Sequence, residues 1–317
     1  MLLIEEIMKT FGLFWEYPVI TEKAFYMQNK QNDQFFGFPW ACLWQKISQI
    51  NAHGPSETSA VLQTQLDSIY QTLYNIRGEQ IYYTCCQQVA FRQFIPLWQC
   101  LNIRTVYAVH KTIGEDVIGG ITIKPCPLYA VNIEDKSKNK IFQDADLLTK
   151  ERDIIYSFAG AHNHDYISNI RPRIFQMKHP PHTYIRNTGM WHFAGIVFSE
   201  KQNIKGELNI DAKYTENTKK YNELLLCSRY TLSPSGSGPN SIRFWEALGA
   251  GSIPILLADT LDLPAHELWE KAILRVAEKD LENIPTLLGQ ISIEEERKRR
   301  ENCLTLYSHF KNNYRNK

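Results

Sequence analysis

Residues 221–262 read YNELLLCSRYTLSPSGSGPNSIRFWEALGAGSIPILLADTLD, and the signals in this stretch run helix, strand, Gly/Ser/Pro loop, helix, strand. The loop Ser235-Gly236-Ser237-Gly238-Pro239-Asn240-Ser241 is made of small residues, so its backbone lets a ligand come close. Pro239 suits the first turn of a following helix, whose unpaired N–H groups and positive dipole end then face the loop. Phosphate is the guest such a loop predicts. On that helix Arg243 and Glu246 share one side, while Ile242, Trp245 and Leu248 form the neighbouring apolar stripe. An arginine placed there neutralises a diphosphate, and a carboxylate one turn further accepts both hydroxyls of a ribose diol. The competing interpretation is a Gly-rich turn with an ordinary surface ion pair, and these residues alone do not separate the two. The loop lacks the Gly-Lys-Ser/Thr of a Walker A motif and the spacing of a dinucleotide fingerprint, which demotes ATP hydrolysis and NAD chemistry.

Outward from this stretch the chain keeps an α/β alternation. Ile253–Leu257 is apolar along its length, as the strands of a parallel sheet are. Ile154–Ala159 predicts another strand, followed by a polar loop and a helix beginning near Tyr166; Gly195–Phe198 and Tyr230–Ser233 predict further strands. In the first half, Val61, Leu62, Leu66, Ile69, Leu73 and Ile76 recur at helical spacing, and short strands at Ile81–Thr84 and Arg104–Val109 flank a helical stretch near Phe91–Cys100. Residues 133–153 are highly charged without an apolar period, which places a domain boundary there. The expected division is 1–145, 146–290 and a C-terminal helix over 291–317 that is free to cross back to the first domain. Its run EEERKRREN sets Glu294, Glu295 and Glu296 four residues before Lys298, Arg299 and Arg300, the pattern of a solvated helix face.

The bulk composition fits two packed domains. The 317 residues exceed one small core, and 44% are hydrophobic against 22% charged. Lys and Arg total 35 against 34 Asp and Glu, so no broad positive field exists to gather nucleic acid. Seven cysteines, without C-x-x-C spacing, read as reduced and mostly buried thiols of a cytosolic protein. Glu5 and Glu6 interrupt the apolar start, so no secretory signal is expected, and no run of apolar residues is long enough to span a bilayer.

The residues from Tyr221 through Ser228, Ser233-Pro234-Ser235-Gly236, Asn240-Ser241-Ile242-Arg243, Glu246-Ala247-Leu248, Gly251-Ser252-Ile253-Pro254 and Leu263-Pro264 resemble the C-terminal signature of the exostosin-type glycosyltransferases, family 47. Ser157-Phe158-Ala159-Gly160-Ala161 with Ile170-Arg171 resembles the opening strand of the family's donor domain and the arginine after it. Two positions depart from the pattern: Ser233 and Ser252 stand where the family commonly has cysteine. The resemblance implies a GT-B fold, α/β, with two Rossmann-like domains facing across a cleft and a nucleotide sugar, UDP-linked, held by the second. It implies inversion at the sugar carbon. Carried over residue by residue, Ser235, Gly236, Ser237, Gly238, Asn240 and Ser241 line the diphosphate, Arg171 and Arg243 meet its charge, and Glu246 binds the ribose. The class implied is a bacterial enzyme of surface-polysaccharide synthesis, cytoplasmic and peripheral at the inner face of the membrane, acting on a glycan or lipid-linked acceptor. The alternative is a non-catalytic partner subunit with the same fold.

Inversion needs a general base in the first domain. His110, after a predicted strand, is the first candidate, with Glu22, Glu115 and Asp116 behind it and a structural histidine as the competing interpretation. His162, His164, His179, His182 and His192 lie in Pro- and Asn-rich loops, so they are read as loop histidines rather than metal ligands, although His162-x-His164 has ligand spacing. No D-x-D triplet is present; no cofactor is required by the sequence, and a magnesium or manganese ion stays open. The aromatic run Phe35–Trp40 is either an acceptor-stacking platform or a core plug.

Overall fold

The computed structural model describes residues 2–129, 131–197, 199, 201–202 and 206–313. The chain divides into two compact units, Met1–Cys126 with Val197–Leu208, and Pro127–Ile196 with Asn209–Lys317. The charged segment 133–153 therefore lies inside the second unit, seven or more residues past the observed division at Cys126/Pro127.

In the first unit, strands β1 (Tyr82–Cys86), β2 (Ile103–Ala108), β3 (Val117–Ile118) and β4 (Ile121–Pro125) form one sheet in the order β1-β2-β4-β3. Strands β1, β2 and β4 are parallel and β3 is antiparallel to β4. The helix Glu57–Ile76 forms as its spacing predicts, opened by the Ser56 hydroxyl accepting from Ser59 N–H and burying Leu66, Ile69 and Leu73. The aromatic run settles as core: Phe36, Phe38 and Trp40 are buried, and the Trp40 indole N–H donates to Thr84 Oγ1 at 2.8 Å. That pairing satisfies the one polar atom the burial of Trp40 would otherwise strand.

The second unit holds a wholly parallel five-stranded sheet. Its strands are β5 (Ile154–Gly160), β6 (Tyr184–Asn187), β7 (Ser228–Pro234), β8 (Ile253–Leu257) and β9 (Leu274–Arg275), in the order β6-β5-β7-β8-β9. The chain leaves β5 to one side for β6 and later returns on its other side as β7. Between β5 and β7 the winding thus reverses, and doubly wound sheets bind ligands outside the carboxyl ends of their strands at such a point.

Several expectations are corrected here. The helix expected from Tyr166 begins at Ile170 and ends at Gln176. An earlier start would put Pro172, which has no N–H, in the helix interior; instead Ile167 N–H donates to the Gly236 carbonyl at 3.0 Å. Gly195–Val197 belongs to the short helix Ala194–Val197 rather than a strand, and Phe198 lies outside the described residues. The helix after the loop spans Ile242–Gly249 with extended Ser241 as its N-cap, so it opens three residues later than Pro239 implied. Asn240 is held back in the loop, its Oδ1 accepting from the Trp245 indole at 2.9 Å.

The closing helix Ile293–Asn312 belongs to the second unit and packs on the helices Ile242–Gly249 and Trp269–Ala272. Trp269 and Phe310 stack at 5.4 Å between ring centroids, and Trp245 meets Phe310 edge-on at 5.8 Å. Its charges are not all solvated: Glu296 and Arg300 are buried, and Glu296 also takes the Arg229 guanidinium from the start of β7.

Beneath the amino ends of the strands, Arg152 is buried with its guanidinium donating to four carbonyls, those of Leu225 (2.9 Å), Ser228 (3.0 Å), Leu147 (3.2 Å) and Ala250 (2.8 Å). Gly251, at φ +66, leaves room for it, since a Cβ there would lie 3.1 Å from the Leu147 carbonyl and 3.2 Å from Arg152 Nη2.

Candidate functional site

At the reversal between β5 and β7, the last strand residues and the loops beyond them bring together the predicted donor residues. Ser235 is buried, its N–H donating to the Leu257 carbonyl at 3.0 Å, and Gly236 N–H turns back onto the Gly238 carbonyl at 3.0 Å. Ser237 alone of the loop is exposed. Ser241 gives the next helix no side-chain cap, so the helix presents unpaired N–H groups toward the loop.

Arg171 reaches the loop from the helix after β5. Its Nε donates to the Ser235 carbonyl and its Nη1 to the Ala161 carbonyl, each at 2.8 Å. Arg243 comes from the other helix, donates to the Ala159 carbonyl, and leaves its Nε without a partner. Glycine makes both placements possible: a Cβ on Gly236 would lie 3.0 Å from Arg171 Nη2, and one on Gly160 2.8 Å from Arg243 Nη2. Neither guanidinium forms an ion pair with a carboxylate among the described residues. Burial, with the Arg243 charge beside it, pushes the Arg171 pKa down to about 10. Two like charges held together on backbone carbonyls make a pocket that an anion would relieve.

Glu246 is not on an open face. It is 2% exposed, its Oε2 accepts from the Tyr221 hydroxyl at 2.9 Å, and its Oε1 has no partner. Burial raises its carboxyl to about 7, against the Tyr221 hydrogen bond and the Arg243 charge, which pull it down. Nearby, Lys138 donates to the Tyr214 hydroxyl at 3.0 Å, and burial lowers its pKa to about 8. The i,i+3 spacing from Arg243 located Glu246 correctly on the helix, and the covering by Tyr221 and residues near 132–138 is what spacing does not show.

The histidines stay apart. His179 bridges the Tyr156 hydroxyl (2.9 Å) and the Ile174 carbonyl (2.7 Å), His192 stacks on Tyr214 at 4.8 Å, and His164 pairs with Asp165 at the surface. His162 meets Tyr166 edge-on, and His182 adopts φ +59 in a turn. No three His, Cys, Asp or Glu side chains converge as metal ligands among the described residues, so these residues offer a divalent cation no protein-made site.

The general-base candidates of the first unit fare unevenly. His110 is buried with Nδ1 unpartnered, and burial, with Arg92 next, pushes its pKa down to about 3. Such an imidazole holds a proton poorly in this buried setting, where its competing reading as a structural histidine also applies. Glu115 is tied to Arg92, which lowers its pKa, Asp116 pairs with Lys111 at 2.9 Å, and Glu22 is sealed on the N–H groups of Gln87 (2.9 Å) and Ala41 (3.3 Å). Sequence reading missed Glu16. It is half-buried beside Glu22, its Oε1 is unpartnered, and burial lifts its carboxyl to about 7, the range in which a carboxylate can take a proton and give it up again. Only its position in the run FWEYP, between aromatics, hinted at this.

Comparison with known proteins agrees with this geometry. The model of the Exostosin GT47 domain matches residues 121–291, slightly over half of the chain. The chain is similar to an exostosin-1 homolog of Caenorhabditis elegans, 36% identical over 92 residues covering 28% of this chain and 24% of that protein. It is also similar to a probable glucuronosyltransferase, GUT1, of Oryza sativa subsp. japonica (32% over 108 residues, 33% of this chain and 26% of that protein). A third similarity is to a probable beta-1,4-xylosyltransferase, IRX10, of Arabidopsis thaliana (35% over 108 residues, 33% and 26%). The matched part thus spans about a quarter of each relative's length. With the parallel sheet, the two arginines and the small-residue loop all inside the matched segment, this chain belongs to the exostosin GT47 family.

Proposed function

We propose that the protein is an inverting glycosyltransferase of GT-B type, which binds a UDP-linked sugar in its second unit and transfers the sugar to a glycan or lipid-linked acceptor of a surface polysaccharide. The observation that carries this is the pair Arg171 and Arg243, converging on the Ser235–Ser241 loop with backbone carbonyls as hydrogen-bond acceptors and, among the described residues, no carboxylate in ion-pair contact, the nearby Glu246 carboxyl being pushed toward its neutral form by burial. A diphosphate supplies the missing negative charge, and the unpartnered Oε1 of Glu246 supplies an acceptor for a ribose hydroxyl. The relatives named for glucuronosyl and xylosyl transfer support the same reaction class.

The test is calorimetry with UDP and with uridine. Arg243→Ala should weaken UDP binding about tenfold, the loss of a charge-assisted hydrogen bond of about 1.5 kcal/mol, and leave uridine nearly as before, because only the phosphates carry charge for it to meet. Equal UDP affinity in parent and variant would place the diphosphate elsewhere.

A further inference from the structure

Past the carboxyl ends of β5 and β6 the chain sets an aromatic ring at the rim of the crevice that holds the two arginines. Thr188 N–H donates to the Gly160 carbonyl at 3.0 Å, so the turn after β6 starts at the glycine against which Arg243 packs. Gly189 N–H returns to Asn187 Oδ1 at 2.9 Å and the Thr188 hydroxyl donates to the Met190 carbonyl at 2.9 Å, which fixes the turn's backbone. Trp191 comes next, 37% exposed, its ring edge-on to the buried Phe193 at 5.6 Å between centroids. An indole anchored at one edge on the core, with over a third of its surface open, offers a face on which a flat ring can stack. The neighbours of Glu246 lead to the same place. Lys138, whose charge acts on Glu246, donates to the Tyr214 hydroxyl at 3.0 Å, and Tyr214 lies 6.1 Å from Phe193. Trp191 is thus tied through Thr188 to Arg243 and through Phe193 and Tyr214 to the surroundings of Glu246. With the diphosphate at the arginines and the ribose at Glu246, the base is the next group along the nucleotide, and the transferred sugar stands at the opposite end of the diphosphate.

We infer that Trp191 is the platform for the donor's nucleobase, its indole stacking on the base. The inference rests on the donor-site reading given above and adds to it the side chain that grips the base. Stacking of this kind is tolerant of base identity, because every base has a π-face, so Trp191 supplies grip rather than a choice between bases.

The experiment is calorimetry on the full chain with UDP, uridine and inorganic pyrophosphate, for the parent, Trp191→Ala and Trp191→Phe. Pyrophosphate lacks the nucleoside and reads the arginine pair alone. Trp191→Ala should weaken UDP and uridine by the same factor, about tenfold, and leave pyrophosphate within about twofold of the parent. Trp191→Phe, which keeps a stacking face, should return UDP to within about threefold of the parent. UDP affinity that Trp191→Ala leaves unchanged overturns the inference while the donor site stands. A loss that extends equally to pyrophosphate, or a Trp191→Phe no better than Trp191→Ala, also overturns it, since the ring would then be supporting the turn and not the base. Failure of the parent to bind UDP overturns the donor-site reading and this inference together.

Discussion

Glu246→Gln is expected to make the protein more stable and a worse binder of nucleotide at once. The Glu246 carboxyl is raised by burial from 4.5 to about 7 in the folded chain. Below about pH 4.5 it is neutral in both folded and unfolded states, and the fold loses nothing by holding it. As the pH climbs toward 7 the unfolded chain releases this proton while the folded one retains it, so the parent loses stability over that window and none further above it. Glutamine is neutral throughout. It accepts from Tyr221 as the carboxylate did, and its NH2 group replaces the unpartnered Oε1 in a neighbourhood that also holds the unpartnered amide of Asn132. The gain should approach about 3 kcal/mol at pH 8, a rise in Tm of roughly 6–10 °C for the second unit, and should shrink toward zero at pH 4.5. UDP affinity should fall about tenfold in the same variant. Of the other groups against this carboxyl, Tyr221 and Lys138 release protons above the window, and His192, pushed down by burial to about 4, titrates below it. Melting curves at pH 4.5 and 8 decide the matter: a difference between variant and parent that is the same at both pH values would mean the carboxyl is not held neutral by the fold.

Arg152→Ala should be the most damaging single change at the other end of the sheet. The guanidinium ties the carbonyls of Leu147, Leu225, Ser228 and Ala250, which belong to separate stretches of chain. Its own burial works against it, pushing the Arg152 pKa down to about 9, so the net worth of the cluster is less than four charge-assisted bonds. Removing it strands those buried carbonyls and leaves a cavity, and a loss of about 4 kcal/mol is expected from urea unfolding, with UDP affinity measured below the transition nearly unchanged. Arg152→Lys, with one point of attachment in place of a planar fork, should recover less than half. A loss under about 1 kcal/mol for Arg152→Ala would mean that water replaces the guanidinium.

How much of this was legible in the sequence follows sequence distance. The strand–loop–helix–strand over 228–257 was legible because its signals are local: a buried apolar strand, a run of small residues, an apolar stripe at helical spacing. The pairing of Arg171 with the loop was reached through resemblance, since no periodicity relates it to Ser235, 64 residues away. Lys138 and Arg152 were hidden inside a stretch whose charge density reads as a linker, yet Lys138 sits near Glu246 and Arg152 anchors Ala250, 98 residues on. Glu296 and Arg300 were read as solvated because i,i+4 spacing reveals the pair and not the third partner, Arg229. The same blindness explains His110, whose burial comes from non-local packing. Gly251, part of the stretch that carries the family resemblance, makes room for Arg152, a scaffold role that the motif alone does not show.

Trp245 carries an optical consequence. Its indole N–H is bonded to Asn240 at the end of the loop, and its ring lies wholly buried among Tyr129, Trp269 and Phe310, two positions along the helix from Arg243. Any ligand that draws the loop inward changes the polarity and the hydrogen bond around this one chromophore. The protein therefore carries an emission reporter beside the proposed nucleotide site, and a titration followed by tryptophan fluorescence, with Trp245→Phe giving the share of the signal that comes from the six other tryptophans, reads occupancy without a label.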